Sequence, residues 1–105
     1  MIKVTILYPS KPGSHFDVDY YLGTHMPLAM RLLEPALRGV SVEIGLSGGM
    51  PDQAPPFAAI CGFTCDSVEA FGMVLAQHGA ELSADIPKYT DIEPVIQIGE
   101  IRISK

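Results

Sequence analysis

Hydrophobic and polar residues alternate along four segments of the chain, which is the pattern of β-strands with one buried face. These segments cover residues 1–8, 40–46, 57–65 and 94–103. The third has apolar residues on both faces, which predicts a central strand. In the fourth, the alternation changes phase near Gly99 and Glu100, and this predicts a β-bulge.

Two other segments repeat apolar residues at helical spacing. In the first, the apolar stripe consists of Leu22, Met26, Met30 and Leu33. Because Pro27 lacks a backbone donor and restricts the residue before it, we expect this helix to break at His25 and Met26 and to restart at Pro27. The second helix begins with Asp66 as the expected N-terminal cap and ends before Pro87.

The resulting order of elements is β-α-β-β-α-β, the split βαβ or ferredoxin-like arrangement, in an α+β fold. We expect one domain over residues 1–105, with an antiparallel four-stranded sheet and both helices on the same face. The opposite face is then bare, although the third and fourth strands direct apolar residues toward it. A second copy of the chain would bury that face, so the sequence predicts a homodimer.

The amino-acid composition excludes some classes of binding partner and indicates where in the cell the protein is located. Of the 105 residues, 48% are hydrophobic and 18% are charged, and the formal net charge is −5 with no basic cluster. An acidic protein of this kind is a poor match for nucleic acid or for an anionic membrane. No apolar run approaches the roughly 20 residues of a membrane span, and the first residues lack the features of a signal peptide. We therefore expect a soluble, cytoplasmic protein.

Cys61 and Cys65 are the only cysteines, and both lie in the third predicted strand. Four residues apart in a strand, they would be on one face but roughly 13 Å from each other, too far for a disulfide. We expect two reduced thiols in the core and no redox motif.

The stretch from residue 16 to 28 holds the best candidates for chemistry. Asp17, Tyr21 and His25 are spaced four apart, so in a helix they share one face. An imidazole can both take and give a proton, which makes His25 the candidate acid or base. Tyr21 would orient a substrate oxygen, and Asp17 would hold a ring nitrogen of His25. The competing interpretation is that His25 caps a helix break and that the tyrosines, including Tyr20, pack in the core.

Further polar candidates come from the second helical segment and the residues after it. His78, Asp85 and Tyr89, together with Tyr20, are the candidates for contacts to a substrate. A dehydratase or isomerase removes a proton at one atom and donates one at another, which a second polar group facing the cavity would allow. The competing interpretation assigns His78 to a helix end and Asp85 to the capping of a turn.

Three other patterns predict no site. Residues 45–49 match the G-x-S-x-G pattern, but a nucleophile elbow requires a following helix, and here a loop follows. The three histidines are too scattered for a metal site. No glycine-rich loop precedes a helix, so we expect no nucleotide, flavin or other cofactor.

Three segments stand out in order along nearly the whole chain: IKVTILYP, FDVDYYLGTHMPL and HGAELSADIPKYTDIEPVIQI. With these segments the chain resembles the EthD family of the dimeric α/β-barrel superfamily. The resemblance implies a ferredoxin-like fold whose sheets pair in a homodimer, with an apolar cavity beside the first helix. The family takes its name from a protein associated with ethyl tert-butyl ether degradation. Relatives in the superfamily include dehydratase-like proteins, lactone isomerases and cofactor-free monooxygenases.

The leading hypothesis is a homodimer that binds a small apolar or aromatic molecule in its cavity. His25 would act as acid or base in a cofactor-independent lyase, isomerase or monooxygenase-type reaction of a degradative or biosynthetic pathway. Two alternatives stay open: a non-catalytic protein that binds or carries an intermediate of such a pathway, and a structural dimer with a filled barrel. The role of the proline- and glycine-rich loop at residues 47–56 is also open.

Overall fold

Four strands form a single antiparallel sheet in the computed structural model, which describes all of residues 1–105. They are β1 (Ile2–Pro9), β2 (Leu37–Ile44), β3 (Phe57–Cys65) and β4 (Val95–Glu100). Their order across the sheet is β2-β3-β1-β4, so the first and third strands are central and the second and fourth form the edges. The central position predicted for the third strand is confirmed.

Helical segments fill the two connections on either side of the β2–β3 pair. The first connection contains α1 (Val18–Tyr20), a π-helical turn (Tyr21–His25) and α2 (Met26–Leu32) in direct succession. The second contains α3 (Val68–Asp85), followed by a 3₁₀ turn at Ile86–Lys88. The β-α-β-β-α-β order predicted from the sequence is thus confirmed. None of the helices combines the length and apolar character that a membrane span requires.

The first helical region does not break at His25 and Met26, contrary to the sequence-based expectation. Both residues have helical backbone angles, with φ/ψ of −68°/−49° at His25 and −65°/−42° at Met26. The distortion instead takes the form of a wider turn, in which the Met26 N–H bonds to the carbonyl of Tyr21 five residues earlier. A π-turn gives the Pro27 ring the room that a regular helix would deny it. His25 therefore sits on a continuous but widened helical surface.

Two other boundaries differ from the sequence-based expectation. Ser67, not Asp66, caps α3, because its side-chain oxygen accepts from the Ala70 N–H at 3.0 Å. The bulge expected near Gly99 and Glu100 is absent. The β1–β4 pairing keeps one register from its start to Glu100, where the strand ends. The change of phase in the sequence marks the end of the strand.

The face of the sheet that the helices cover carries the hydrophobic core. Alternate residues of β1 and β3 point into it, and the most buried of them are Val4, Tyr8, Ala59, Cys61 and Cys65. Residues of α2 and α3 pack against these side chains. Cys61 and Cys65 are free thiols, as the spacing predicted.

The opposite face of the sheet is more polar than the alternation predicted. Lys3 and Thr5 of β1 lie there, and their register partners Thr64, Gly62 and Gln97 share that face. Apolar residues occur mainly at one end, where three are paired across neighbouring strands: Leu7, Ile60 and Val95. The apolar part of the open face is therefore a short row across β3, β1 and β4.

Candidate functional site

A cavity of about 200 Å³ lies between the sheet and the helices. Its wall consists of 19 residues, of which 15 are hydrophobic. On one side they come from β1, β3 and β4, and on the other from the π-helical turn, α2 and α3. A cavity of this size and lining suits a small and largely apolar molecule.

His25 brings an imidazole to the wall of this cavity. Its side chain is 9% exposed, and its Nδ1 atom lies 2.9 Å from Oδ2 of Asp85. A carboxylate oxygen can only accept, so Nδ1 carries the hydrogen of this bond in the neutral ring. Nε2 is then the nitrogen with a lone pair, and it is the atom that is left to interact with a ligand.

Asp85 is the last residue of α3, and two hydrogen-bond donors and one ammonium group surround its carboxylate. Besides His25, the Tyr20 hydroxyl donates to Oδ1 at 2.8 Å, and the Lys88 ammonium lies 3.7 Å from the same atom. Burial raises the pKa of Asp85, but the hydrogen bonds from His25 and Tyr20 and the nearby positive charges outweigh it. The pKa therefore lies below the usual value, and the group is a carboxylate at neutral pH.

Aromatic rings support the imidazole from two sides. The ring of Tyr21 is stacked on it with centroids 5.8 Å apart, and the ring of Tyr89 lies at 4.6 Å. Tyr89 in turn reaches β1, where its hydroxyl is 2.6 Å from the hydroxyl of Tyr8. Such contacts fix the orientation of a side chain by packing, which is what a proton-transfer group requires.

Burial keeps the remaining ionisable groups of the cavity wall in their neutral forms. It raises the pKa of the Tyr8 and Tyr21 hydroxyls above their usual value, and it raises the pKa of the Cys61 thiol to about 11. These groups are protonated at neutral pH and can hydrogen-bond a ligand, but they do not act as bases there.

Comparison with known proteins assigns the chain to a family. The EthD domain matches residues 15–93 of the chain. The chain belongs to the EthD family. The matched part of this EthD protein includes His25, Asp85 and Tyr89, whereas Tyr8 lies before it. No curated protein matches the chain.

Solved structures are similar to this EthD protein over nearly its whole length. An EthD-like protein from Ralstonia eutropha is 43% identical with a TM-score of 0.94, and the match covers 99% of this chain and 94% of that one. An EthD family protein from Bacillus halodurans is 24% identical with a TM-score of 0.75, covering 96% and 98% of the two chains. A dimeric ferredoxin-like protein from an uncultured marine organism is 12% identical, with a TM-score of 0.60 and coverage of 100% and 98%.

The fold of this EthD protein brings five of the seven candidate residues together. His25, Tyr21, Tyr20, Asp85 and Tyr89 form one connected group through the contacts described above. They come from two segments that are distant in the sequence. The π-helical turn and the C-terminal end of α3 meet beside the cavity.

Asp17 and His78 lie outside this group. Asp17 is exposed and caps α1, where its carboxylate accepts from the Tyr20 N–H at 3.1 Å. It does not hold a ring nitrogen of His25, because Asp85 occupies that position. His78 is partly buried on α3 and does not border the cavity.

Tyr8 borders the cavity and was not among the residues predicted for the site. Its position in the alternating pattern of β1 indicates only that it points into the core. Nothing in the local sequence shows that its hydroxyl meets the Tyr89 hydroxyl, 81 residues later.

Proposed function

We propose that this EthD protein binds a small apolar or aromatic molecule in the cavity and transfers a proton with His25, without a cofactor. The observation that carries the proposal is the buried His25–Asp85 hydrogen bond at the wall of an otherwise apolar cavity. Asp85 and the rings of Tyr21 and Tyr89 position the imidazole, and Tyr20 positions Asp85. We also propose that the protein acts in the cytoplasm, where thiols such as those of Cys61 and Cys65 stay reduced.

The carboxylate determines what the imidazole can do. With Nδ1–H bonded to Asp85, Nε2 accepts a proton from a ligand, and Asp85 stabilises the imidazolium that forms. The same nitrogen can return the proton to another atom of the ligand, which completes an elimination or an isomerisation. Removal of a proton is also the first step by which an electron-rich substrate becomes reactive toward oxygen. His25 as acid–base residue therefore serves lyase, isomerase and monooxygenase-type reactions alike.

A screen of ligands with product analysis tests this proposal. Hydroxylated aromatics, lactones and small branched ethers and alcohols are mixed with wild type and with His25→Ala, and melting temperatures are recorded. A ligand that binds the native state raises the melting temperature. Mass analysis of each stabilised mixture then detects product. His15→Ala is the matched control, because His15 is an exposed histidine outside the cavity.

We expect product from wild type and His15→Ala and none from His25→Ala. Product formed equally by His25→Ala would contradict the proposed role of His25. Absence of stabilisation by every compound in the screen would contradict the proposed ligand site itself.

A non-catalytic binding role is the second candidate, and the scarcity of polar groups in the cavity favours it. Fifteen of the 19 residues of the wall are hydrophobic, which is typical of a cavity that binds an apolar ligand without reacting with it. This role predicts ligands that stabilise wild type without any product. The same screen separates the two functions.

We also propose that the protein works as a homodimer joined through the open face of the sheet. The row formed by Leu7, Ile60 and Val95 supplies an apolar contact on that face, and a structurally similar protein is described as dimeric. Light scattering of wild type should give the mass of two chains, and Leu7→Asp should give the mass of one. Leu46→Asp, at a position that is 93% exposed, is the control. A single-chain mass for wild type would exclude the dimer.

A further inference from the structure

The hydroxyls of Tyr8 and Tyr89 share one hydrogen bond, and the surroundings determine which of them donates. They lie 2.6 Å apart. Tyr89 is completely buried and does not border the cavity, whereas Tyr8 does. No other hydrogen bond involves the Tyr89 hydroxyl, and leaving its O–H unpaired in the core would be costly. Tyr89 is therefore the donor and Tyr8 the acceptor.

The Tyr8 hydroxyl forms no hydrogen bond other than the one with Tyr89. With the Tyr89 O–H directed at its oxygen, the hydrogen of the Tyr8 hydroxyl has no acceptor within the protein. Of the two bonded tyrosines, only Tyr8 borders the cavity. A ligand in the cavity can therefore supply the acceptor that Tyr8 lacks.

We propose that Tyr8 is a ligand-binding residue, which donates its O–H to an oxygen atom of a neutral molecule in the cavity. The inference rests on the proposed function only in that the cavity has to bind a ligand. Tyr8 and His25 both border the cavity, and both pack against the rings of Tyr21 and Tyr89. The two aromatic rings thus hold both polar side chains in place at the wall of the cavity. Tyr8 is the donor, and Nε2 of His25 is the acceptor.

The surroundings of this pair also limit the charge and size of the ligand. No lysine or arginine borders the cavity, and the Asp85 carboxylate lies directly behind His25. A carboxylate ligand would meet this negative charge without a compensating cation, which is unfavourable in a buried site. An engineered apolar cavity of about 150 Å³ binds benzene, so about 200 Å³ accommodates a single ring with a small substituent. The ligand is therefore a neutral single-ring molecule with an oxygen atom.

Two six-membered-ring probes of similar size test the role of Tyr8. Cyclohexanone has an oxygen that only accepts hydrogen bonds, and methylcyclohexane has none. Nε2 of neutral His25 cannot donate to the ketone, whereas the Tyr8 O–H can. NMR titrations of both probes are performed with wild type, Tyr8→Phe and Tyr89→Phe. Both substitutions remove the hydrogen bond between the two tyrosines, but only Tyr8→Phe removes the hydroxyl of a residue that borders the cavity.

We expect Tyr8→Phe to weaken cyclohexanone binding by about tenfold, the effect of one hydrogen bond, and to leave methylcyclohexane binding within about twofold. Tyr89→Phe should keep the wild-type preference for the ketone. Equal weakening of the ketone by both variants, or none by Tyr8→Phe, would overturn the assignment while leaving the ligand cavity intact. If neither probe binds wild type, while only the acyclic ethers and alcohols of the functional screen do, the assignment of a single-ring ligand is overturned but the proposed function is not. If no compound binds at all, the proposed function fails with it.

Discussion

The Nδ1 atom of His25 and the Oδ2 atom of Asp85 lie 2.9 Å apart, although 60 residues separate the two in the chain. His25 closes the π-helical turn, and Asp85 closes α3. The pair therefore exists only when the end of α3 packs against the first helical region. Its geometry depends on the tertiary fold. Substitution of either partner should therefore lower both the stability of the protein and its proposed activity.

Asp85→Asn should lower turnover of a substrate identified by the screen by about 10- to 100-fold, the effect of losing one charge-assisted hydrogen bond. An amide no longer stabilises the imidazolium, and it can turn its NH₂ group toward His25. Asp17→Asn should have little effect, because asparagine caps a helix about as well as aspartate. Steady-state kinetics of both variants separate the two carboxylates. A larger loss with Asp17→Asn would restore Asp17 as the partner of His25.

Acid should remove the contribution of Asp85 to stability. Its pKa in the folded protein lies below the ordinary value of 3.8, so the carboxylate stabilises the fold fully above that value. The contribution is lost as the pH falls through the folded-state pKa. Urea unfolding should show Asp85→Asn less stable than wild type at pH 7 by about 1–3 kcal/mol, with a smaller difference near pH 2. A difference that stays constant between these two pH values would show that the charge of Asp85 does not stabilise the fold.

The order of strands and helices was predictable because the spacing of apolar residues within each segment reflects which of its faces is buried. Alternation in β1 and the two-sided apolar pattern of β3 follow directly from which faces are covered. The open face shows the limit of this reasoning. The sequence gives the spacing of apolar residues, but the register that groups Leu7 with Ile60 and Val95 is a property of the assembled sheet. The polar centre of that face was therefore not foreseen.

The sequence pointed to five of the residues that lie together beside the cavity, but not to the contacts between them. Spacing by four suggested Asp17 as the partner of His25, because neighbouring turns of one helix bring such residues together. Asp85 takes that position from another helix, and no local pattern encodes such a contact. Pro27 predicted a distortion of the first helical region. Whether a helix breaks or widens at a proline depends on the packing that holds its next turn in place.

Cys61 should be nearly inert toward alkylation in the folded protein. Burial raises the pKa of its thiol to about 11, and its side chain is almost completely covered. Relative to the ordinary value of 9.0, the thiolate fraction near neutral pH falls by about 100-fold. In a Cys65→Ala background, iodoacetamide labelling followed by mass spectrometry should be at least about 100-fold slower in buffer than in urea. Equal rates would mean that Cys61 is accessible in the native state.

Leu33→Ala should destabilise the protein and enlarge the cavity in one step. Leu33 is 2% exposed and borders the cavity, so its truncation should cost about 2–5 kcal/mol. Leu46→Ala is the matched control at a 93% exposed position and should change stability by less than about 0.5 kcal/mol. Because the space left by Leu33 joins the existing cavity, the variant should gain more stabilisation from ethylbenzene than from toluene, whereas wild type should prefer toluene. Thermal unfolding with each ligand measures both effects. A variant that loses stability but shows no change in ligand preference would place the bound molecule away from Leu33.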